Sequence, residues 1–317
     1  MKTVFAEVKA NDPDRDVINQ GAEIIRRGGL VAFPTETVYG LGADALNPEA
    51  VAKVYRVKGR PSDNPLIWHG NSAEDFEGNA DFSSPLARKL AGAFWPGPLT
   101  MVLPCERGTV AVRVPSHPVS RALISASGCI IAAPSANISG KPSPTKACHV
   151  MKDLENVIEM VIDGGVTQKG LESTVIDLHT GIPVLLRPGA VTLEMLQDVL
   201  GEEAVRMPDS NEGEDAAPLS PGMKYRHYAP NARLILIIGT AEAVTAKIAG
   251  YTADEKTGIF RTYKDSADKV ARVLFDRLRQ FDEDGAELIL AEGIEEKGIG
   301  LAVMNRLKKA AAEVIYV

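Results

Sequence analysis

The sequence predicts an α/β protein in which a mixed sheet is followed by a smaller C-terminal Rossmann-like α/β domain. Three observations carry that expectation. Short apolar runs alternate with helical segments through the first two hundred residues, the pattern of a sheet covered by helices. The turns between them are wide and rich in Pro and Gly, which favours a mixed sheet over a doubly wound one. An acidic stretch with prolines and no apolar period then interrupts the alternation, which resumes at Arg233. The expected organisation is a first domain at 1–201, a linker at 202–231 and a second domain at 232–317.

Taken in order, "PDRDVINQGAEIIRRGG" spaces its apolar residues three to four apart and stops on Gly28-Gly29, as an amphipathic helix does. "LVAF" is a short buried strand. "NPEAVAKVYRVKG" starts a helix with Asn47 as N-cap and Pro48 at the first helical position. "LTMVLP" and "TVAVRVP" read as strands, "SHPVSRALISASG" as a capped helix and "CIIAAP" as another buried strand. "STVIDLHTGIPVLLRPG" is a pair of strands around a Thr-Gly turn, with a helix from Thr192. In the second domain, "RLILIIGT", "KTGIF", "AELILAEG" and "VIYV" are strands. Helices "AEAVTAKIAGY", "SADKVARVLFDRLRQFDED" and "GLAVMNRLKKAAAE" separate them.

Composition narrows the function. Of 317 residues, 35 are basic and 42 acidic, giving a net charge of −7. Wrapping nucleic acid needs an excess of cations to neutralise phosphates, so that class is disfavoured, while a small anionic ligand in a local pocket is not. The N-terminus "MKTVFAEVKANDPDRD" has no apolar leader core, and no apolar run reaches the roughly 18 residues of a membrane span. A cytoplasmic protein with no membrane association is expected. Cys105, Cys129 and Cys148 lie at no metal-ligand spacing and read as free thiols. There is no Walker loop, no Gly-x-Ser-x-Gly elbow and no histidine pair at metal spacing. "GLGADA" matches the dinucleotide fingerprint in letters only, because the next helix starts at Pro48.

What remains is a set of polar segments at strand ends. "KVYRVKGRPSDNP" concentrates Lys53, Arg56, Lys58 and Arg60. Such a run is ordinarily a solvated helix face, but Gly59 and Pro61 are expected to take Lys58 and Arg60 into a loop where they can converge on a phosphate or carboxylate. Asn64 stands at the mouth of the following strand. "APSANISGKPSPT" offers Ser135, Asn137, Ser139 and Ser143 in a stiff loop after a buried strand, a common ligand position in α/β folds. "FPTETVYGLG" sets Thr35, Glu36 and Thr37 after a strand. Arg113 interrupts an apolar strand and needs a partner, either Glu36, Glu172 or a substrate carboxylate. Ser173, Thr174 and Arg187 add polar groups at further strand ends. With no nucleophile supported, the chemistry is positioning of anionic groups by cations and hydroxyls.

These segments, in this order, resemble the YrdC-type threonylcarbamoyl-AMP synthase family over roughly residues 10–200. "SPGMKYRHYAP" and "GIGLAVMNRLKKAA" resemble its longer, two-domain branch. The resemblance implies a YrdC-like, twisted open mixed sheet with a concave, positively lined face. It also implies a reaction: L-threonine, bicarbonate or CO2, and ATP give threonylcarbamoyl-AMP and pyrophosphate, with Mg²⁺ assisting. The product would feed the threonylcarbamoyl modification of a tRNA adenosine beside the anticodon, completed by a separate transferase complex, with at most a weak RNA contact. The family's Lys-x-Arg and Ser-x-Asn signature falls on Lys58, Arg60, Ser135 and Asn137, implied to be catalytic. The resemblance puts Arg60, Asn64, Thr109, Ser135, Ser143 and Arg187 around ATP, and Thr35, His69, Arg113 and Ser173 around L-threonine. Two other readings compete: a double-stranded RNA or ribosome binding module of the same fold, and a carbamoyl-phosphate-dependent transferase. The second lacks the zinc fingers of such relatives. Placed beside a site that must exclude water, Ser220–Pro230 reads as a lid. Tyr225 or Tyr228 would contact the nucleotide, and Lys224, Arg226 or His227 the phosphates.

Overall fold

A computed structural model describes residues 2–201, 204–208, 227–251 and 256–317. The first part of the chain runs β1 (Val4–Glu7), α1 (Arg15–Arg26), β2 (Val31–Pro34), β3 (Tyr39–Asp44), α2 (Pro48–Lys58), β4 (Ile67–His69), α3 (Pro85–Phe94) and β5 (Leu99–Cys105). It continues through β6 (Gly108–Arg113), α4 (Pro118–Ser127), β7 (Ile131–Ala132), α5 (Ala147–Leu154), β8 (Met160–Asp163), β9 (Thr174–Asp177), β10 (Val184–Arg187) and α6 (Leu193–Leu200). Among the described residues these strands form one ten-stranded sheet, ordered β1, β8, β2, β3, β7, β4, β6, β5, β9, β10. The sheet is mixed, as expected: β4 runs parallel to β6 and antiparallel to β7.

Strand alternation distributes the core. Val31 and Phe33 face α1 and α4, packing with Ile18, Ile25, Val119 and Leu123. Leu30 and Ala32 face the other way, toward Val54 of α2 and Val150 and Leu154 of α5. This is the period-two consequence of a pleated strand buried on both faces. Helix α2 is set by its ends. Asn47 accepts from the Glu49 and Ala50 amides at 3.0 and 3.2 Å, and Gly59 stops it in the left-handed region at φ 59°. Lys58 is therefore the last residue of the helix and not a loop residue, a correction to the sequence expectation. "GLGADA" lies mostly within β3, antiparallel to β2. A Cβ on Gly42 would come within 2.6 Å of the Phe33 ring, so sheet packing accounts for that glycine.

The second part runs β11 (Arg233–Ile238), α7 (Ala241–Ala249), β12 (Thr257–Phe260), α8 (Ala267–Glu283), β13 (Leu288–Glu292), α9 (Ile299–Ala310) and β14 (Glu313–Tyr316). Its strands make a parallel sheet ordered β12, β13, β11, β14. Helices α8 and α9 cover one face and α7 the other. The stretch that follows α6 does not leave the first domain at once: Leu185 donates to the Arg206 carbonyl and Arg206 to the Pro183 carbonyl. Arg206 thus still pairs with the start of β10.

The two domains share a core. Val38 and Leu171 of the first pack into the cluster of Tyr228, Leu274, Phe275 and Leu307. Ion pairs flank that seam. Lys146 meets Asp276 at 2.7 Å, Lys152 meets Glu283, and Arg279 meets Asp153 at 2.7 Å. Gly170 lies against α8, where a Cβ would sit 2.5 Å from the Arg272 Cα, and its φ is +73°. Gly170→Ala should therefore weaken docking by roughly 2–3 kcal/mol. Differential scanning calorimetry should show it as a lower midpoint or a split transition; an unchanged single transition would mean the loop can yield.

Candidate functional site

A hollow opens where the ends of β2, β4, β6, β9 and β10 meet the loop after β7 and the chain at 227–228. At one end sits the turn after β2. The Thr35 hydroxyl lies 2.7 Å from the Thr37 hydroxyl and 2.7 Å from the Val38 carbonyl, a closed turn that fixes both side chains. Arg113, at the end of β6, lies 2.7 Å from Glu36 in a buried ion pair. Glu36 also accepts from the Ser116 amide at 3.1 Å. Of the two carboxylates open to Arg113 from the sequence, Glu36 pairs with it, while Glu172 pairs with Arg306. The contact is off hydrogen-bond angle, leaving the Arg113 Nη2 hydrogens without an acceptor. Beside it, burial and the Arg113 cation push the His69 ring from 6.5 down to about 3. His69 is neutral at pH 7, with Nδ1 3.1 Å from the Ile67 carbonyl. Ser173 completes this end, sharing hydrogen bonds with Thr100 at 2.7 Å and Arg187 at 3.1 Å.

The remaining cations of the lining rest on carbonyls. Arg60 donates to the Asn64 and Pro65 carbonyls at 3.0 Å each and to Asn64 Oδ1 at 2.6 Å. Asn64 thus orients Arg60 from behind and does not line the hollow. Arg187 is anchored by the Ser173 carbonyl at 3.0 Å. Ser135 lines the hollow on the loop after β7, held to β3 by a bridge to Gly40.

Lys58 is the main revision. It is 1% exposed, absent from the lining, and its ammonium donates to the Ser135 and Asn137 carbonyls at 2.5 Å each. Burial and Arg60 drive its pKa well down. It therefore holds the loop in shape from beneath and is not aimed at a phosphate. Asn137 likewise turns its amide to the Ile138 and Lys141 carbonyls at 2.8 and 3.0 Å. Ser143 points to Glu172, to which it donates. Thr109 is exposed on the hairpin between β5 and β6 and borders a different hollow with Tyr55 and Asp63, apart from the other expected nucleotide residues. Its hairpin reaches away from the strand ends that meet at the first hollow. Tyr225, with Lys224 and Arg226, lies outside the described residues.

Eight expected residues line the hollow together: Thr35, Arg60, His69, Arg113, Ser135, Ser173, Arg187 and Tyr228. Among the rest of the lining are three polar side chains not assigned a ligand by motif: Thr37, Glu172 and, by a lid argument only, His227. Glu172 directly precedes Ser173, and a carboxylate beside an expected site residue was the available signal. It remains ionised because Arg306, Arg187 and the Ser143 hydroxyl outweigh the cost of burial. Burial, Arg60 and Lys309 push His227 down to about 4. Tyr228 is buried at a left-handed φ of 66° and packs on Phe275 at 5.3 Å. A bulky residue in that region is strained, and such strain persists where its surroundings hold it.

Residues 23–189 match the Sua5_yciO_yrdC family model, described as telomere recombination. Residues 191–312 match the model for the threonylcarbamoyl-AMP synthase C-terminal domain. A Pyrococcus abyssi protein called threonylcarbamoyl-AMP synthase is 49% identical over 93% of this chain and 94% of its own. A Bacillus subtilis protein of the same description is 46% identical over 97% and 96%. The crystal structure of P. abyssi Sua5 complexed with L-threonine aligns with a TM-score of 0.94 at 46% identity, covering 99% of this chain and 100% of that one.

The electrostatics of His69 yield a test. Its folded pKa lies below the unfolded value, so the unfolded chain binds the extra proton and stability falls as pH drops from about 6.5 toward 3. His69→Gln should flatten the pH dependence of the unfolding midpoint over that window. Parallel curves for both proteins would mean that His69 titrates normally.

Proposed function

The chain belongs to the Sua5/YciO/YrdC family and carries the C-terminal domain of its threonylcarbamoyl-AMP synthases, and on that premise we propose how its cavity divides the work. The chain forms threonylcarbamoyl-AMP and pyrophosphate from L-threonine, bicarbonate or CO2, and ATP. The observation that carries the division of roles is the hollow itself. It brings Arg113, His69, Thr35 and Ser173, the residues expected around threonine, into one lining with Arg60, Ser135 and Arg187, those expected around ATP.

L-threonine binds with its carboxylate on Arg113, a cation that lines the hollow. Thr35 and Ser173 supply hydroxyls, and neutral His69 supplies a ring nitrogen without adding charge. Nearby cations disfavour an ammonium, which keeps the amine nucleophilic. The amine and bicarbonate combine to a carbamate with loss of water. A carbamate oxygen then attacks the α-phosphorus, the bond to the β-phosphate breaks, and pyrophosphate leaves with its electron pair. Arg60 and Arg187 offset the charge that grows on the phosphates. No side chain acts as nucleophile; holding three reactants together supplies about 7–11 kcal/mol of the barrier.

Mg²⁺ would accompany ATP and add positive charge at its phosphates; the lining carboxylate Glu172 is engaged by Ser143 and Arg306, so the phosphates themselves would hold the ion. His227 and Tyr228 border the hollow and restrict water, which a hydrolysis-prone carbamate and adenylate require. The product then passes to a tRNA-modifying transferase complex. The net charge of −7 favours at most a weak direct contact with RNA.

Purified protein should catalyse ATP–pyrophosphate exchange that requires both threonine and bicarbonate. Exchange indifferent to threonine would remove the reaction assignment. Arg60→Ala should slow it about 100-fold or more. Arg113→Ala should raise the KM for threonine about tenfold or more with the KM for ATP near wild type. A defect confined to ATP would move Arg113 to the nucleotide end.

A further inference from the structure

Glu172 poses an electrostatic problem for a site that takes a polyphosphate. It is an ionised carboxylate that lines the hollow beside Ser173 and Arg187, and an unmatched negative charge there repels the substrate strongly in a water-poor cavity. The matching cation comes from the other domain. Arg306, on α9, is 0% exposed and donates from Nε to Glu172 Oε2 at 3.1 Å. Its Nη1 donates to the carbonyl of Pro188, the residue after Arg187. The other oxygen of Glu172 accepts from Ser143 on the loop after β7. One guanidinium therefore ties together the segment with Ser173, the segment with Arg187 and, through Glu172, the loop with Ser143. Its Nη2 is left without a hydrogen-bond partner, a cost that packing alone does not explain. Arg279 on α8 reinforces the same loop by donating to the Pro142 carbonyl at 3.1 and 2.6 Å.

We propose that Arg306 of the C-terminal domain is a positioning residue for ATP binding, acting through Glu172 by cancelling its charge and setting the Ser143 and Arg187 segments. The second domain is then a working part of the nucleotide site. The inference rests on the reaction assigned above, and it specifies which reactant Arg306 serves.

The test compares Arg306→Gln, Arg306→Lys and the double variant Glu172→Gln/Arg306→Gln with wild type. Steady-state exchange reads both KM values, and calorimetry reads the Kd of a non-hydrolysable ATP analogue. Arg306→Gln should raise the KM for ATP and the analogue Kd about tenfold or more. The KM for threonine should change less than about threefold. Arg306→Lys and the double variant should recover most of the loss, because charge balance is kept in one and restored in the other. Equal rises in both KM values, or a double variant as poor as Arg306→Gln, overturn the proposal. If Arg306→Gln does not fold, the other two decide: a tenfold rise in the analogue Kd for either overturns it. The analogue Kd needs no turnover, so absence of threonine-dependent exchange in wild type would sink the reaction assignment without touching this readout.

Discussion

Backbone carbonyls hold the cations of this protein in place. Lys58 rests on Ser135 and Asn137, Arg60 on Asn64 and Pro65, Arg113 on Gly97 and Arg187 on Ser173. From the second domain, Arg279 rests on Pro142 and Arg306 on Pro188. A buried cation needs partners, but a carboxylate for each would neutralise the cavity and leave nothing for an anionic substrate. A carbonyl satisfies the N–H without cancelling the charge. Carboxylates join three of these cations: Glu36 on Arg113, Asp153 on Arg279 and Glu172 on Arg306.

This choice also shapes the loops. A carbonyl that accepts from a buried guanidinium or ammonium fixes the peptide that carries it. The loop from Ala133 to Thr145 is gripped from beneath by Lys58 and from the second domain by Arg279. Its order therefore depends on both domains, and so does the position of Ser135 at its start. The shared apolar seam through Val38, Leu171, Tyr228 and Phe275 makes that dependence rigid. Interfaces between domains that move freely are smaller and more polar.

For a reaction that forms a short-lived carbamate and adenylate, this architecture does two things at once. It fixes the cations and hydroxyls around the hollow in advance, and donors fixed in advance need little reorganisation at the moment of reaction. It also closes one side of the hollow with His227 and Tyr228, whose ring is anchored in the core of the second domain.

The alternation of apolar runs was enough to determine the fold class, because side-chain period and length are local properties of the chain. The N-cap at Asn47, the hairpin of β9 and β10 and the four second-domain strands were legible for the same reason. Motif order, which survives in one dimension, was enough to pick eight residues that the fold brings to one hollow. Direction was not legible. Lys58 carries the same letters whether its ammonium faces a phosphate or two carbonyls; a helix ending at Gly59 one residue later than expected turned it inward. Thr109 was placed by the resemblance, and it lies at the far end of β6 from Arg113, beside a different hollow. The pairing of Glu172 with Arg306 joins residues 134 positions apart. It depends on how α9 docks, and docking is decided by the complementarity of two folded surfaces. The sequence alone determined which chemical groups were available; the tertiary structure decided which of them face the cavity and which hold the others in place.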